Sequence, residues 1–240
     1  MSTKQLNTHT KVLRVLFTGG PNGGKSSTLE HVVEVLRECV GNVKFLVLSE
    51  SATEFLSLMC AETRAHVCGA VGGSVLFQTG ILQRQALMEQ WMEQVIQSIP
   101  DDGTNHEVQH VVLLCDRGLA DGKVFIESPE DWRRALDDAH VSLDDKTFRS
   151  TGFPPFDLVV HMQSRAAADD KAVRDLYERV STNTSTERLH DAEQSRKYDD
   201  DLGALYAGHT GYHLIRACPG FHDKKHQVVK MISEAMGLVL

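Results

Sequence analysis

The chain has 240 residues, of which 41% are hydrophobic, and its formal net charge is −8. This length and hydrophobic content allow one large α/β domain with a buried core. The negative charge argues against a protein that holds nucleic acid through long-range attraction to its phosphates, so we expect no nucleic-acid partner. The five cysteines are widely spaced without a C-x-x-C pair, which disfavours a disulfide framework or cysteine zinc site and is typical of a reducing cytoplasm.

Residues 1–10 are polar and are predicted to form a flexible tail before a single domain at 11–240. The tail has no apolar segment of signal-peptide length, and Ser2 stands where N-myristoylation requires glycine. No run approaches the roughly 18 apolar residues that span a membrane. Any membrane contact is therefore expected to be peripheral.

The first predicted elements are a strand at Val12–Thr18 and a helix that follows a glycine-rich segment. That segment, GGPNGGKSS, contains the P-loop pattern G-x4-G-K-[ST]. Its glycines permit a tight turn with inward-facing amides, which bind anions at the start of the helix. The residues predicted to hold the nucleotide are Gly19, Gly20, Pro21, Asn22, Gly23, Gly24, Lys25, Ser26 and Ser27. In this pattern the lysine reaches the β- and γ-phosphates and the first serine binds Mg²⁺, so we expect ATP or GTP with Mg²⁺.

A second strand is predicted at Val43–Leu48, and the sequence S-x-x-E at 51–54 predicts a capping box that begins a helix. Glu50 would then lie at the carboxyl end of a strand, on the side of an α/β sheet where ligands bind. Two interpretations are open. Glu50 orients an acceptor hydroxyl or a Mg²⁺-bound water, or it is an exposed carboxylate favoured by the helix dipole.

A long amphipathic helix is predicted from about Val75 to Ile99. Its apolar residues are Phe77, Ile81, Leu82, Met88, Trp91, Val95 and Ile99. Gln78 and Gln83 lie on the same helix and are candidates for contact with an acceptor, the alternative being an ordinary glutamine at the surface.

The apolar run Val111–Cys115 predicts a central strand of a parallel sheet, followed directly by Asp116 and Arg117. P-loop proteins place a Mg²⁺-binding carboxylate after such a strand, so Ser26 and Asp116 form the predicted metal site. The alternative for Asp116 is a helix cap or a surface carboxylate. Arg117 is predicted to face the phosphates of donor or acceptor, or to form an ordinary ion pair.

Three histidine pairs have His-x3-His spacing: 106 with 110, 209 with 213, and 222 with 226. The first reads HEVQH, but H-E-x-x-H binds zinc only on a helix, and this copy leads into a strand. On a strand the rings stand about 13 Å apart, too far to share one metal. We interpret all three pairs as surface or packing residues.

Ser128–Pro129 predicts the start of another helix, and strands are predicted at Leu158–Met162 and Tyr212–Ile215. The last helix is predicted to bury Val228, Ile232, Ala235 and Val239. Alternating strands and helices predict an α/β fold, a parallel sheet of about five strands covered by helices on both faces.

The region at about 165–206 has dense mixed charge and predicts a solvated helical lid. Guanidinium groups brought over the phosphates would stabilise transferring charge, and closure would exclude water. Our candidates for this role are Arg174, Arg179 and Arg188; the alternative for each is a solvated surface position.

The chain resembles the NadR-like and TRPL-translocation-defect-like AAA domains, P-loop proteins related to nucleoside and nucleotide kinases. The resemblance rests on RVLFTGGPNGGKSS, Glu50, Phe77-Gln78, CDRG at 115–118, FDLVVH at 156–161, Arg188, YAGH at 206–209 and the closing strand and helix. It implies a kinase-like fold that binds ATP or GTP, with Arg188 in the mobile region. The chain departs from the family pattern at Thr210, often Pro, and at Arg216-Ala217, often Asp-Asn. The second departure leaves ATP and GTP both open.

Two functions fit these patterns. In the first, the chain is a Mg²⁺-dependent phosphotransferase or NTPase in which Lys25, Glu50, Asp116, Arg117 and Arg188 act on a nucleoside triphosphate and a small-molecule acceptor. In the second, it is a nucleotide-binding regulatory switch, associated with trafficking or phosphoinositides, that has no acceptor.

Overall fold

A computed structural model describes residues 10–40, 43–68, 74–99, 109–126, 128–183 and 191–238. For residues 109 and 178–183 it describes the backbone only. The strands are β1 Thr10–Thr18, β2 Val43–Leu48, β3 Gln109–Asp116, β4 Leu143–Asp144, β5 Arg149–Ser150, β6 Leu158–Met162 and β7 Tyr212–Ile215. The helices are α1 Lys25–Cys39, α2 Ser51–Ser57, α3 Ala61–Cys68, α4 Val75–Ser98, α5 Gly122–Phe125, α6 Pro129–Ala139, α7 Lys171–Asn183, α8 Ala192–Tyr206 and α9 Phe221–Met236. Among these helices none is long and apolar enough to cross a bilayer.

Five strands form one parallel sheet in the order β2-β3-β1-β6-β7. The strand order reverses at β1, because the chain next builds β2 and β3 on one side of it and later returns at β6 on the other. Such a reversal leaves a crevice outside the carboxyl ends of the strands. The predicted α/β fold with a five-stranded parallel sheet is confirmed, and the crevice lies where the P-loop follows β1.

Helices cover both faces of the sheet, which explains why β1 is apolar on both sides. Val15 and Phe17 pack with α1 and α9 on one face, whereas Leu16 packs with α4 and α8 on the other. All three side chains are completely buried. A strand buried on both faces is a continuous apolar run, which is how β1 and β3 are recognised in the sequence.

The buried face of α4 differs from the predicted one. Trp91 is 53% exposed, whereas the buried face includes Gln85, Glu89 and Glu93. The fully buried Arg149, from the short β4-β5 hairpin, donates to Glu89 at 3.1 Å and to Glu93 at 2.8 Å. A second arginine, on β1, also pairs with Glu93. Apolar periodicity places charged residues outside, and pairing with distant arginines reverses that preference for these two glutamates.

The predicted capping box at 51–54 is wrong. Glu50 is the residue that precedes α2, Ser51 is its first helical residue, and no side chain caps this end. The Ser51 hydroxyl instead donates to Gln85 at 3.0 Å, and the Glu54 carboxylate accepts from Arg84. Hydrogen bonds to α4 therefore occupy the Ser51 hydroxyl and the Glu54 carboxylate, which are the two groups that a capping box would use within α2.

Two predictions for the C-terminal half are corrected. Residues 165–206 are not a uniformly solvated region, because α8 buries Leu202 and Tyr206 completely against the sheet. In α9 the buried face runs through Val228, Ile232 and Met236, with Ala235 exposed, and Val239 lies outside the described residues. Tertiary packing made α8 part of the core even though it has few large apolar residues.

The histidine pairs are dispersed over the fold. His110 lies in β3 and His106 is outside the described residues. His222 and His226 lie on α9 with ring centroids 4.4 Å apart. In the described ranges no group of three or more His, Cys, Asp or Glu side chains is arranged to hold a metal ion.

Candidate active site

The P-loop connects β1 to α1 with a backbone that requires glycine at two positions. Gly19 and Gly24 have φ of 121° and 87°, in the region that side chains disfavour. A Cβ at Gly19 would lie 2.4 Å from the Met162 carbonyl oxygen, and one at Gly24 would lie 2.1 Å from the Phe221 ring. The loop is thus packed tightly from behind, with its concave side at the crevice.

Lys25, the first residue of α1, is buried and 7% exposed. Its ammonium donates to the carbonyl oxygens of Gly19 and Gly20, both at 3.1 Å. Burial, with a further contribution from the Arg117 charge, lowers the pKa of Lys25. A cation that is largely removed from water attracts an anion more strongly than a solvated one does, which suits the predicted contact with phosphates.

Ser26 and Asp116 are brought together as the predicted metal site requires. The Ser26 hydroxyl donates to Asp116 Oδ2 at 2.6 Å, and Asp116 Oδ1 is buried with no hydrogen-bond partner among the described residues. Burial raises the pKa of Asp116, which the Lys25 charge opposes. A hydroxyl and one carboxylate fit Mg²⁺, which in nucleotide sites takes one or two protein oxygens and completes its shell with waters and phosphate oxygens.

Arg117 is held in a restrained conformation at the end of β3. Its φ is 72°, its amide donates to the Phe17 carbonyl at 2.9 Å, and its own carbonyl accepts from Gln85 at 3.0 Å. A non-glycine residue in the left-handed region costs about 1–3 kcal/mol and is kept where the surroundings determine it. The backbone therefore directs the guanidinium, which pairs with Glu50 and lies 3.2 Å from Asp121.

Glu50 faces this guanidinium from the end of β2. Burial alone would raise the pKa of Glu50, but the charges of Arg117 and Lys25 outweigh burial and lower it to about 2. Thr53 also donates to its carboxylate at 2.6 Å. Glu50 is therefore an anion at neutral pH, fixed between two cations.

Asp121 is a site residue that the sequence analysis missed. It accepts hydrogen bonds from Thr18 at 2.9 Å and from Tyr206 at 2.6 Å, in addition to its ion pair with Arg117. Its carboxylate is 2% exposed. Asp121 lies five positions after the end of β3 and belongs to no recognised motif. The only signal in the sequence is an acidic residue within the apolar and glycine-containing segment 118–122.

Apart from Asp116, these side chains line one cleft of about 430 Å³. Its polar end contains Lys25, Ser26, Glu50, Arg117 and Asp121, and its apolar wall combines α2, α4 and α5. That wall is formed by Leu56, Phe77, Ile81 and Phe125. The cleft thus joins the P-loop and its charged side chains to a pocket with two aromatic rings.

The remaining candidates lie away from the cleft or outside the described residues. Gln78 is buried behind Gly122, and Gln83 donates to the Asp138 carbonyl on α6 at 3.3 Å. Arg174 donates to the carbonyl oxygens of residues 168 and 169 just before α7. The Arg179 side chain and all of Arg188 are outside the described residues.

A family model described as "AAA domain" matches residues 14–220. The chain belongs to this AAA domain family. No curated protein matches the sequence. Among solved structures, this AAA domain is similar to deoxyadenosine kinase from M. mycoides, solved with the products dCMP and a flexible dCDP bound. The TM-score is 0.57 at 12% identity, over 92% of this chain and 100% of the kinase.

At that identity the match establishes the fold alone. Together with the family, it identifies the chain as a nucleotide-binding P-loop protein with a kinase-like fold. The finer resemblance to NadR-like and TRPL-translocation-defect-like proteins stays a prediction.

Proposed function

We propose that this AAA domain is a Mg²⁺-dependent phosphotransferase, which moves the γ-phosphoryl group of ATP or GTP to a hydroxyl group of a small acceptor in the cleft. The observation that carries the proposal is the Glu50–Arg117 pair, which lines the same cleft as Lys25 and Ser26. Hydrolysis or simple binding needs no second pocket, whereas transfer needs an acceptor beside the phosphates.

The donor side rests on the P-loop. Its amides and the Lys25 ammonium would bind the β- and γ-phosphates, and Ser26 with Asp116 would hold Mg²⁺. When bound, Mg²⁺ supplies charge neutralisation on the phosphate oxygens. Lys25 adds a desolvated positive charge, and its ammonium is already in place, so no reorganisation is needed during transfer.

The acceptor side rests on Glu50 and Arg117. A carboxylate with a pKa of about 2 is a weak base, so in this state Glu50 orients the acceptor hydroxyl better than it removes its proton. A polyphosphate competes with Glu50 for Arg117. As the guanidinium turns to the phosphates, the pKa of Glu50 rises, and the carboxylate becomes a better proton acceptor when both substrates are present.

The apolar wall indicates the acceptor class. Phe77 and Phe125 supply aromatic surfaces beside the polar end of the cleft, an arrangement suited to a planar ring that carries a hydroxyl-bearing sugar. The similar deoxyadenosine kinase supports nucleosides as the first class to test. A cytoplasmic setting, where nucleoside triphosphates and Mg²⁺ are available, is part of this proposal.

The test is phosphate transfer from ATP and GTP to nucleosides, nucleotides and phosphoinositides. We expect Glu50→Gln to reduce kcat by about 100-fold, because the orienting carboxylate acts mainly in the transfer step, and to leave donor affinity within about 3-fold of wild type. Glu38→Gln, an exposed change on α1, is the control. Nucleotide binding with no transfer to any acceptor, together with nucleotide-dependent capture of a partner protein, would overturn the proposal in favour of the switch.

A further inference from the structure

The rear of the P-loop is held by three side chains from the C-terminal half of the chain. Gly20 N–H donates to Asp199 at 2.6 Å, and the Pro21 carbonyl accepts from Ser164 at 2.9 Å. The Gly23 carbonyl accepts from the ammonium of Lys224 at 3.1 Å. These three side chains lie 143 to 201 positions from their partners in the loop. No local sequence pattern therefore predicts the contacts.

Peptide geometry connects these rear contacts to phosphate binding. In a trans peptide the carbonyl of one residue and the N–H of the next point in opposite directions, and the described chain has no cis peptide bond. Holding the Gly23 carbonyl to the rear therefore directs the Gly24 N–H toward the cleft, which Gly24 lines. The same geometry explains why Gly20 N–H faces Asp199 while the Gly19 carbonyl faces Lys25.

Lys224 stands out among the three because it is a cation, whereas Asp199 is acidic and Ser164 is neutral. It is 4% exposed and has a second acceptor, the Gln163 carbonyl, at 2.8 Å. Burying an ammonium is unfavourable, and two neutral carbonyls do not fully compensate it. Burial lowers its pKa to about 8, with Cys218 and Asp199 opposing the shift and Arg165 and Lys25 adding to it. A second buried cation thus stands directly behind the loop that is to bind an anion.

The start of α9 is docked firmly enough for this contact to act on the loop. Phe221, the first residue of α9, packs so closely on Gly24 that any Cβ there would overlap its ring. Lys224 lies one turn further along the same helix. Packing on the loop itself therefore determines where the backbone of Lys224 lies, and the Gly23 and Gln163 carbonyls hold its ammonium.

We propose that Lys224 is a positioning residue for nucleotide binding, which orients the Gly23–Gly24 peptide and adds positive potential behind the P-loop. The proposal rests on the proposed function only in taking a nucleoside triphosphate as the ligand, and it does not require an acceptor. A purely structural role, tying β6 to α9 through Gln163, would affect folding but leave the affinity of the folded protein unchanged.

The test compares Lys224→Met with Lys230→Met in the full chain. Lys230 lies on the same helix with its side chain 78% exposed, so the control has the same change in charge and side-chain type. Titration calorimetry with Mg²⁺-ATP and Mg²⁺-GTP is expected to show a Kd about 10-fold or more higher for Lys224→Met, because a charged hydrogen bond to the loop is lost. Lys224→Gln keeps an N–H donor and should recover part of the affinity.

The outcomes separate this proposal from the proposed function. If the wild-type chain binds neither nucleotide, the proposed function fails. If it binds and Lys25→Ala weakens binding strongly, but Lys224→Met and Lys224→Gln bind as Lys230→Met does, the role of Lys224 alone is overturned. Thermal unfolding identifies the folded variants. If Lys224→Met does not fold, the affinity of Lys224→Gln tests the proposal. A Kd for Lys224→Gln equal to that of Lys230→Met would then contradict it.

Discussion

The two ends of the cleft are built in different ways. The P-loop end, where we propose that the phosphates bind, comes from one contiguous segment and mainly from backbone groups, since Gly19 to Ser26 supply the loop, the ammonium and the hydroxyl. The proposed acceptor end combines side chains from the ends of β2 and β3 and from the turn that follows, held by ion pairs. The first design takes its groups from one local segment, although side chains from the C-terminal half hold that segment from behind. The second depends on several distant contacts being correct together.

This difference predicts where substitutions act. At the P-loop end we expect replacement of Lys25 to weaken nucleotide binding. At the proposed acceptor end we expect substitutions to alter turnover and stability but to leave the donor bound.

The largest effect is expected for Lys25→Ala. The substitution removes the buried ammonium beside the Gly19 and Gly20 carbonyls, and we expect the Kd for Mg²⁺-ATP and Mg²⁺-GTP to rise by about 100-fold. Titration calorimetry measures it. Lys44→Ala, an exposed change on β2, should leave the Kd unchanged. Equal affinity in the two variants would mean that the P-loop does not bind the phosphates as described.

An intermediate effect is expected for Asp121→Asn. The amide keeps the shape but removes the charge that faces Arg117 and places an N–H group opposite the Thr18 or Tyr206 hydroxyl. We expect kcat to fall by about 10-fold and the free energy of unfolding to fall by about 1–3 kcal/mol. Steady-state kinetics and urea unfolding measure these, with Asp137→Asn on the exposed face of α6 as control. A comparable loss of donor affinity would contradict the separation of the two ends.

The smallest effect is a pH dependence of stability at Glu50. Its folded-state pKa of about 2 lies below the 4.5 of an unburied glutamate, so its contribution is complete well above pH 4.5 and is lost as pH falls toward 2. The stability difference between wild type and Glu50→Gln, about 1–3 kcal/mol at neutral pH, should thus be constant from pH 7 to 5 and shrink below 4.5. Urea unfolding at several pH values measures it. A difference that grows on acidification would show that Arg117 does not stabilise the Glu50 anion.

Much of the fold could be predicted because its signals are short-range. The strands β1, β3 and β6 are apolar runs, Ser128 with Pro129 marks the start of α6, and the alternation of elements predicts the parallel sheet. The buried faces of α4 and α8 could not be predicted in this way. Glu89 and Glu93 are inside because Arg149 pairs with both and an arginine of β1 also pairs with Glu93. Helix α8 is buried because it covers the sheet, not because it is strongly apolar.

By itself the sequence determined the P-loop, the strand that precedes it, and the positions of Asp116 and Arg117 after β3, because turn geometry, periodicity and strand ends are local properties of the chain. Only the tertiary structure decided that Arg117 pairs with Glu50 and Asp121, and that Asp199 and Lys224 hold the loop from behind. Those contacts join residues up to 201 positions apart. They depend on which strands are neighbours and on how the helices pack over them, which local chemistry does not specify.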